Sequence, residues 1–440
     1  MKDEKEIKTD RLGNRLDPTL PYARGELIAS TQDDMAKLRK AWEVIHLRVI
    51  EQGRASLFNL SGLERGLGGN PEHLDWLDDE MAPALYVDRL TELGLEHLGG
   101  DADQHGIMVM NRQTGALLAA TLVMVKPGET VVGVSPSHSH PAIRRAALRA
   151  GARFVDTTGV EQLKAALADI HEVPLIALTR LAVTYDIFSV KEIAQVVEMA
   201  RSVNARVLMD DAGGARVGPA IFGQPRALEL GVDVASTGLD KYGTLGPRVG
   251  LLGGSRDLVE RVRACAFELG LEARPVLYPA VVSSLEQYRS SHVQELVEST
   301  KRVANELKKF LGDRVTETPV IALLQAEDIL EIAMERAGIS KAPIVPYEAS
   351  AALSMLLLRD YGILTVHFAG LPPGTSSLLI KFLPKETVSR FGGPRKLAQA
   401  INDSLSTLSK MIDKLDELRD LLLGQPNSDS IGGSERPASS

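Results

Sequence analysis

The stretch VDVASTGLDKYGTLGPRVGLLGG, residues Val232–Gly254, decides how the rest of the chain is read. A short, largely apolar run from Val232 to Ala235 enters a Ser-Thr-Gly cluster, presents one lysine, Lys241, and leaves through Gly243, Gly246, Pro247, Gly250 and Gly253-Gly254. The flanking residues predict a turn at Lys241, not a solvated helix face. Ser236 and Thr237 bring hydroxyls suited to an anion, and the glycines let backbone approach a flat, charged ligand closely. Such a lysine is either a Schiff-base former or a solvated loop residue, and the residues upstream bear on the choice.

At 440 residues the chain exceeds what one hydrophobic core fills, so two domains are expected. Its formal net charge of -8 argues against a broad electrostatic grip on nucleic acid, which needs clustered basic surface. The single cysteine, Cys265, excludes an intramolecular disulfide and lies in the amphipathic stretch VERVRACAFELG, where a packed thiol is expected. The N-terminus is charged without an apolar signal region, and no run approaches the length of a membrane span, so a cytoplasmic protein is expected.

Residues 1–24 read as an exposed arm, and Ile28–Gln52 as a helix with apolar residues at three- and four-residue spacing (Met35, Leu38, Trp42, Ile45, Val49). Ala55–Leu74, with Gly62, Gly66, Gly68 and Gly69, reads as an irregular segment that is either functional or a surface connector. From about Val87 to Gly270 apolar β-like runs alternate with helix-length amphipathic segments, which indicates a mainly parallel sheet covered on both faces. Ligands of such sheets collect at the carboxyl ends of the strands. Beyond Gly254 come a helix over Ser255–Leu269 and a long helical stretch over Leu285–Phe310. A smaller α/β region follows, with strand candidates VTETPVIALLQ, GILTVHFAG and SLLIKFLP and helices at Asp328–Ala337 and Gly393–Leu423. The expected division is an arm and helix over 1–80, a large domain over 81–275, a linking helix and small domain over 276–424, and a disordered Gly/Ser/Pro-rich tail over 425–440.

The loops after successive strands hold one of each part that pyridoxal phosphate chemistry requires. Gln113, Thr114 and Gly115 open a helix, where free amides bind phosphate; an N-cap Thr beside a close-packing Gly accounts for the same residues. In Ser135-Pro-Ser-His-Ser-His-Pro141, His140 at the start of a helix is placed to lie flat on a pyridine ring, better than His138. A His-x-His metal pair is the rival, with no third ligand evident nearby in sequence. Val207-Leu-Met-Asp-Asp-Ala212 ends a strand in paired carboxylates. Asp210, held against a pyridine nitrogen, keeps that nitrogen protonated and the ring an electron sink. Asp211 is left to a helix cap or a loop bond, and both carboxylates also suit a magnesium site or a turn. Lys241 completes the set as the amine that attacks the cofactor aldehyde.

This order of glycine-capped helix, histidine, strand-end Asp and lysine resembles the fold-type I pyridoxal phosphate enzymes, the aspartate aminotransferase superfamily. Within it, STGLDKYGTLGPRVGLLGG is similar to the lysine loop of bacterial selenocysteine synthase. The motifs LFNLSGL, SHPAIRRAA and DDAGGARVGPAIFGQPRALELG resemble the selenocysteine synthase-like proteins of archaea. Leu239, inserted before the Asp-Lys pair, and Arg248, in place of Gln, depart from the synthase. The resemblance implies a homodimer or larger symmetric assembly with the site at a subunit interface. It assigns the Schiff base to Lys241, the pyridine nitrogen to Asp210, ring stacking to His140, and phosphate to Gln113, Thr114, Gly115, Ser236 and Thr237.

An amino-acid substrate is expected, with Arg180, Arg216 or Lys381 as partners for its carboxylate, or as surface charges. The preferred reaction is β-elimination or β-replacement on a serine- or cysteine-type substrate, including S-conjugates. Transamination or racemisation uses the same parts. A non-catalytic pyridoxal phosphate- or RNA-binding relative is a third reading, against which the acidic chain and the absence of a fused basic module argue.

Overall fold

The computed structural model describes residues 8–67, 75–170, 172–368 and 372–424. The tail over 425–440, the first seven residues of the arm, positions 68–74 of the Gly-rich segment and 369–371 of the GILTVHFAG strand candidate lie outside the described residues.

After a two-residue strand at Phe58–Asn59 (β1), seven strands form the central sheet: His105–Met110 (β2), Thr130–Ser135 (β3), Arg153–Thr158 (β4), Leu175–Thr179 (β5), Arg206–Asp210 (β6), Val234–Gly238 (β7) and Gly250–Ser255 (β8). Their spatial order is β2-β8-β7-β6-β5-β3-β4. Only β8 runs against its neighbours; the pairings from β7 to β4 are parallel. Helices cover both faces, which is why β3 and β5 are apolar without alternation and buried along their whole length. The strand ends of β2, β3, β5, β6 and β7 therefore open onto one edge of the sheet, with Thr179, Asp210 and Ser236 in register across it.

A second sheet is built from Val315–Glu317 (β9), Ile321–Leu324 (β10) and, beyond the short strand Ile363–Leu364 (β11), Leu378–Lys381 (β12). Its order is β12-β10-β9, all antiparallel, whereas β11 pairs with β1. The helices Ala326–Ala337, Pro346–Tyr361 and Pro394–Ser409 close this core. The segment read as one helix over Gly393–Leu423 is two, Pro394–Ser409 and Leu415–Leu423. Likewise the stretch Leu285–Phe310 divides into Tyr278–Gln287 and Ser290–Leu311, and the first of these packs in the core of the central sheet.

The arm expected to be exposed over residues 1–24 is buried at its end, at Leu20, Tyr22 and Ala23. Leu20, Tyr22, Leu27 and Ile28 are buried in the C-terminal core, and the helix Thr31–Gln52, started by a Ser30–Asp33 capping box, lies over the same core. A seam of Leu63, Tyr185, Tyr242, Val293, Leu379 and Phe382 joins the two halves beside the open strand ends. Among the described residues no helix is long and apolar enough to cross a membrane.

Candidate active site

A cavity of about 220 Å³ sits at that seam, walled by the strand-end loops on one side and by β12 and residues 373–375 on the other. Lys241 enters it from the loop after β7, anchored by a bridge between its backbone and Leu63. Its Nζ lies 3.5 Å from Asp240 Oδ1, and Asp240 also accepts from Arg65 Nε at 2.9 Å. Burial works against the Asp240 charge, but Lys241 and Arg65 outweigh it and hold the carboxyl below the usual range. The Gly-rich segment thus reaches the cavity, since Leu63 and Arg65 both line it. No spacing rule connects Arg65 to Asp240, and the glycines around it were the one signal.

Asp210 faces the same cavity from the end of β6. Its Oδ1 accepts from Gln113 Nε2 at 2.7 Å and from the Ala212 amide at 3.2 Å. Burial raises the carboxyl to about 6, against the pull of Lys241 and the Ala212 amide. A buried carboxylate held by neutral donors is suited to a cationic ring N–H. Gln113 also donates to the Ser236 carbonyl at 3.0 Å, so its side-chain amide orients Asp210 and does not serve phosphate.

His140 caps the helix Pro141–Arg149, its Nδ1 accepting from the Ala142 amide at 3.1 Å. That bond fixes the tautomer with the proton on Nε2, and burial together with Lys241 and Arg145 draws the pKa down to about 4. A neutral ring therefore lines the cavity. His138 turns to a separate cavity beside Asp156 and Arg144, so the two histidines do not converge.

The helix Gln113–Met124 points its first turn at the cavity with Thr114 at the wall. Arg112, Arg65 and Arg248 gather there; burial and mutual repulsion draw Arg248 down to about 10. An open helix start beside three guanidiniums is built for a dianion. Gly250 makes the approach possible, because a Cβ there would stand 2.8 Å from the Gln113 amide nitrogen. Ser236 and Thr237 do not reach this place. Ser236 is buried in the sheet, and the Thr237 hydroxyl is spent on the Ala212 carbonyl at 3.2 Å and on Arg216 at 2.8 Å. Gly115 lies one step behind the wall, its Cα facing Leu271.

Two of the three residues expected at the substrate carboxylate are structural. Arg180 is fully buried in a two-pronged ion pair with Asp211 and donates to the Pro225 carbonyl at 2.8 Å. Asp211 is accordingly neither a cap nor a loop bond. Arg216, also fully buried, donates to the carbonyls of Ala212 at 2.7 Å and Gly238 at 2.8 Å, and its Nη1 lies 3.1 Å from His97 Nε2. His97, drawn down to about 3 by burial and Arg216, is the neutral acceptor of that contact. Neither guanidinium borders the cavity, and both brace the loops that carry Asp210 and Lys241. Lys381 does border it, from the end of β12, with Nζ 2.7 Å from Tyr185 Oη and 3.1 Å from Tyr242 Oη. The two tyrosines were not singled out in the sequence; each lies in a loop after a strand, with nothing in its spacing to mark it.

The parts that would hold pyridoxal phosphate are therefore assembled: a lysine, a carboxylate for a ring nitrogen, a neutral imidazole and an anion cradle around one cavity. No protein-family model matches the chain. A pyridoxal phosphate-dependent protein of the UPF0425 group from Methanothermobacter thermautotrophicus is 31% identical over 396 residues, 89% of this chain and 98% of that protein. A second such protein, from Methanosphaera stadtmanae, is 28% identical over 359 residues, 81% of this chain and 90% of that one. Among solved structures, N-succinyldiaminopimelate aminotransferase from Mycobacterium tuberculosis matches with a TM-score of 0.54 at 18% identity, covering 83% of this chain and 99% of that one.

Proposed function

The chain belongs to the UPF0425 family of pyridoxal phosphate-dependent proteins, and from that premise we propose that it is a β-eliminating or β-replacing enzyme acting on a serine- or cysteine-type amino acid. The observation that carries the reading is the convergence of Lys241 and Asp210 on one cavity whose opposite wall holds a second buried lysine. Bound pyridoxal phosphate supplies an electron sink that acidifies the substrate α-carbon.

The residues divide the rest of the work. Lys241 is the residue that would hold the cofactor aldehyde, and its amine would carry the α-proton of the substrate. Asp210, oriented by Gln113, would hold the proton at the ring nitrogen. The first turn at Thr114 with Arg112 and Arg248 would hold the phosphate, and His140 Nε2–H would offer a neutral donor in the same cavity. The likeness of the lysine loop to selenocysteine synthase favours chemistry at the β-carbon. Supplying the loaded enzyme with serine- and cysteine-type amino acids and assaying pyruvate and ammonia tests this. Pyruvate formed with no added keto acid is the expected result; an absolute need for a keto-acid acceptor overturns it in favour of transamination.

A homodimer is part of the same proposal. Trp76, Leu77, Met81 and Leu85 stay exposed at and before the start of the helix Met81–Leu98, an apolar surface that a second copy would cover. Light scattering on the eluted protein should give twice the chain mass.

A further inference from the structure

Lys381 is in an unusual setting for a buried lysine. Among the described residues no carboxylate lies within ion-pair distance of it, and its ammonium is held by two tyrosine hydroxyls and the faces of their rings, 5.4 Å and 5.0 Å from the centroids of Tyr185 and Tyr242. Tyr185 and Tyr242 touch through their hydroxyls, and Tyr242 stacks on Phe382 with ring centroids 3.9 Å apart. Tyr185, Tyr242 and Phe382 also adopt positive φ, three of the four such non-glycine residues among those described. Strained backbone of this kind persists only where the surroundings over-determine it, and it gathers at working sites. Both tyrosines and Lys381 line the cavity that Lys241 enters from the other side.

A proton count shows what the trio can do. Each tyrosine oxygen accepts from the Lys381 ammonium, and one hydroxyl donates to the other. The second hydroxyl proton and the third ammonium proton are then left over at the cavity wall. We propose that Lys381, Tyr185 and Tyr242 form a second proton-handling unit, which donates to the group leaving the substrate β-carbon. The proposal rests on the elimination reading and gives the β-carbon its own acid, separate from the base at the α-carbon.

The step balances. Lys241 takes the α-proton, the electron pair of the Cα–H bond forms the Cα=Cβ bond, and the Cβ–X bond breaks with its pair going to X. A tyrosine hydroxyl protonates X and is refilled from Lys381, which regains its proton from Lys241 through solvent; H and X depart as HX with no net redox change. The groups facing Lys381 suit this work. Burial, then Lys241, lowers its pKa to about 7, with Asp240 opposing and Arg65 adding to the drop. Burial holds both tyrosines protonated well past neutrality. The ammonium therefore gives up a proton near neutral pH while the hydroxyls remain donors.

The test compares two leaving groups. Chloride leaves β-chloroalanine without a proton, whereas the hydroxyl of serine needs one. In Lys381→Met and Tyr242→Phe the ratio of serine to β-chloroalanine turnover should fall by about a hundredfold or more, the usual worth of a general acid. In wild type the serine rate alone should fall as pH rises through the Lys381 midpoint. Equal losses on both substrates, or losses confined to KM, overturn the proposal and leave Lys381 a partner for the substrate carboxylate or a packing residue. Turnover of neither substrate by wild type, with the cofactor band present, sinks the elimination reading and the proposal together, an outcome distinct from the first. A readout without cofactor guards against misfolding. In cofactor-free protein carrying ¹³C-labelled lysine, one ε-carbon should titrate near pH 7 and vanish in Lys381→Met, while Tyr242→Phe keeps its melting temperature. A midpoint in the ordinary range near 10 for the signal that Lys381→Met removes overturns the proposal as well.

Discussion

At the scale of single residues, Asp210 and Arg180 are both buried charges, and their surroundings give them opposite consequences. At Asp210 burial outweighs the pull of Lys241 and the Ala212 amide, so its carboxyl sits at about 6 in the folded chain against 3.8 when exposed. Between those values the native state binds the extra proton. Its cost to stability is thus absent below about pH 4 and grows as pH rises through 6, reaching at most about 3 kcal/mol at 1.36 kcal/mol per pKa unit. Asp210→Asn keeps an acceptor for Gln113 and removes the charge. It should stabilise cofactor-free protein at pH 8 and leave it unchanged at pH 4, by chemical denaturation at both. In the loaded enzyme the same change should cost about a hundredfold in kcat, because a hydrogen bond to a charged group is lost. Arg180 instead answers Asp211. Arg180→Met strands that carboxylate and should cost about 3–5 kcal/mol of folding stability. A substrate-binding arginine would show a raised KM on an undisturbed fold, so denaturation beside kinetics decides between the two roles.

The element that sets the site's dimensions is the helix Gln113–Met124, whose start is pressed against β8. An added Cβ at Gly250 would stand 2.8 Å from Gln113 N, 2.9 Å from Gln113 Cα and 3.0 Å from the Arg112 carbonyl carbon, all backbone atoms that no rotamer can move aside. Gly250→Ala must push the helix start outward, loosening both the anion cradle and the Gln113 grip on Asp210. The dissociation constant for pyridoxal phosphate should rise about tenfold, worth about 1.4 kcal/mol, by absorbance titration; unchanged affinity would mean that the helix position is not what holds the phosphate. This element also shows where sequence reading ends. Lys241, Asp210 and His140 were legible because each lies on a strand end or loop marked by its own neighbours. The partners of Arg180, Arg216 and Thr237 come from other loops of the sheet, so a strand-end arginine that braces looks the same in sequence as one that binds. The helix Pro346–Tyr361 was missed for a different reason. It is buried all round, with Tyr347, Leu353, Met355, Leu356 and Leu357 pointing to every side, so no apolar stripe marks its period.

Across the whole molecule, the N-terminal segment ties the two halves to one another at the cavity. Tyr22 stacks on Tyr347 with centroids 4.6 Å apart and donates to the Pro373 carbonyl at 3.0 Å; Arg24 Nη1 meets Asp34 Oδ2 at 2.8 Å, and Lys37 Nζ meets Tyr347 Oη at 2.9 Å. Pro373, Gly374 and Thr375 are cavity wall, and a Cβ on Gly374 would stand 2.9 Å from His140 Nε2. A charged stretch at the start of a chain reads as an arm because its partners lie more than 300 positions away, and burial shows that its apolar residues belong to the C-terminal core. Position and role therefore come apart: the segment farthest in sequence from Lys241 holds the wall that faces it. Tyr22→Phe keeps the stacked ring and removes the one bond to Pro373, leaving that carbonyl unsatisfied at a cost of about 1–3 kcal/mol. Hydrogen exchange should speed at residues 372–377 and stay unchanged in β5, and KM should rise several-fold while the cofactor band persists. Tyr22→Ala also empties the stack, and should cost about 3–5 kcal/mol of stability. Exchange that speeds over the whole chain in Tyr22→Phe would show a general loss of packing instead of a local hold on the cavity wall.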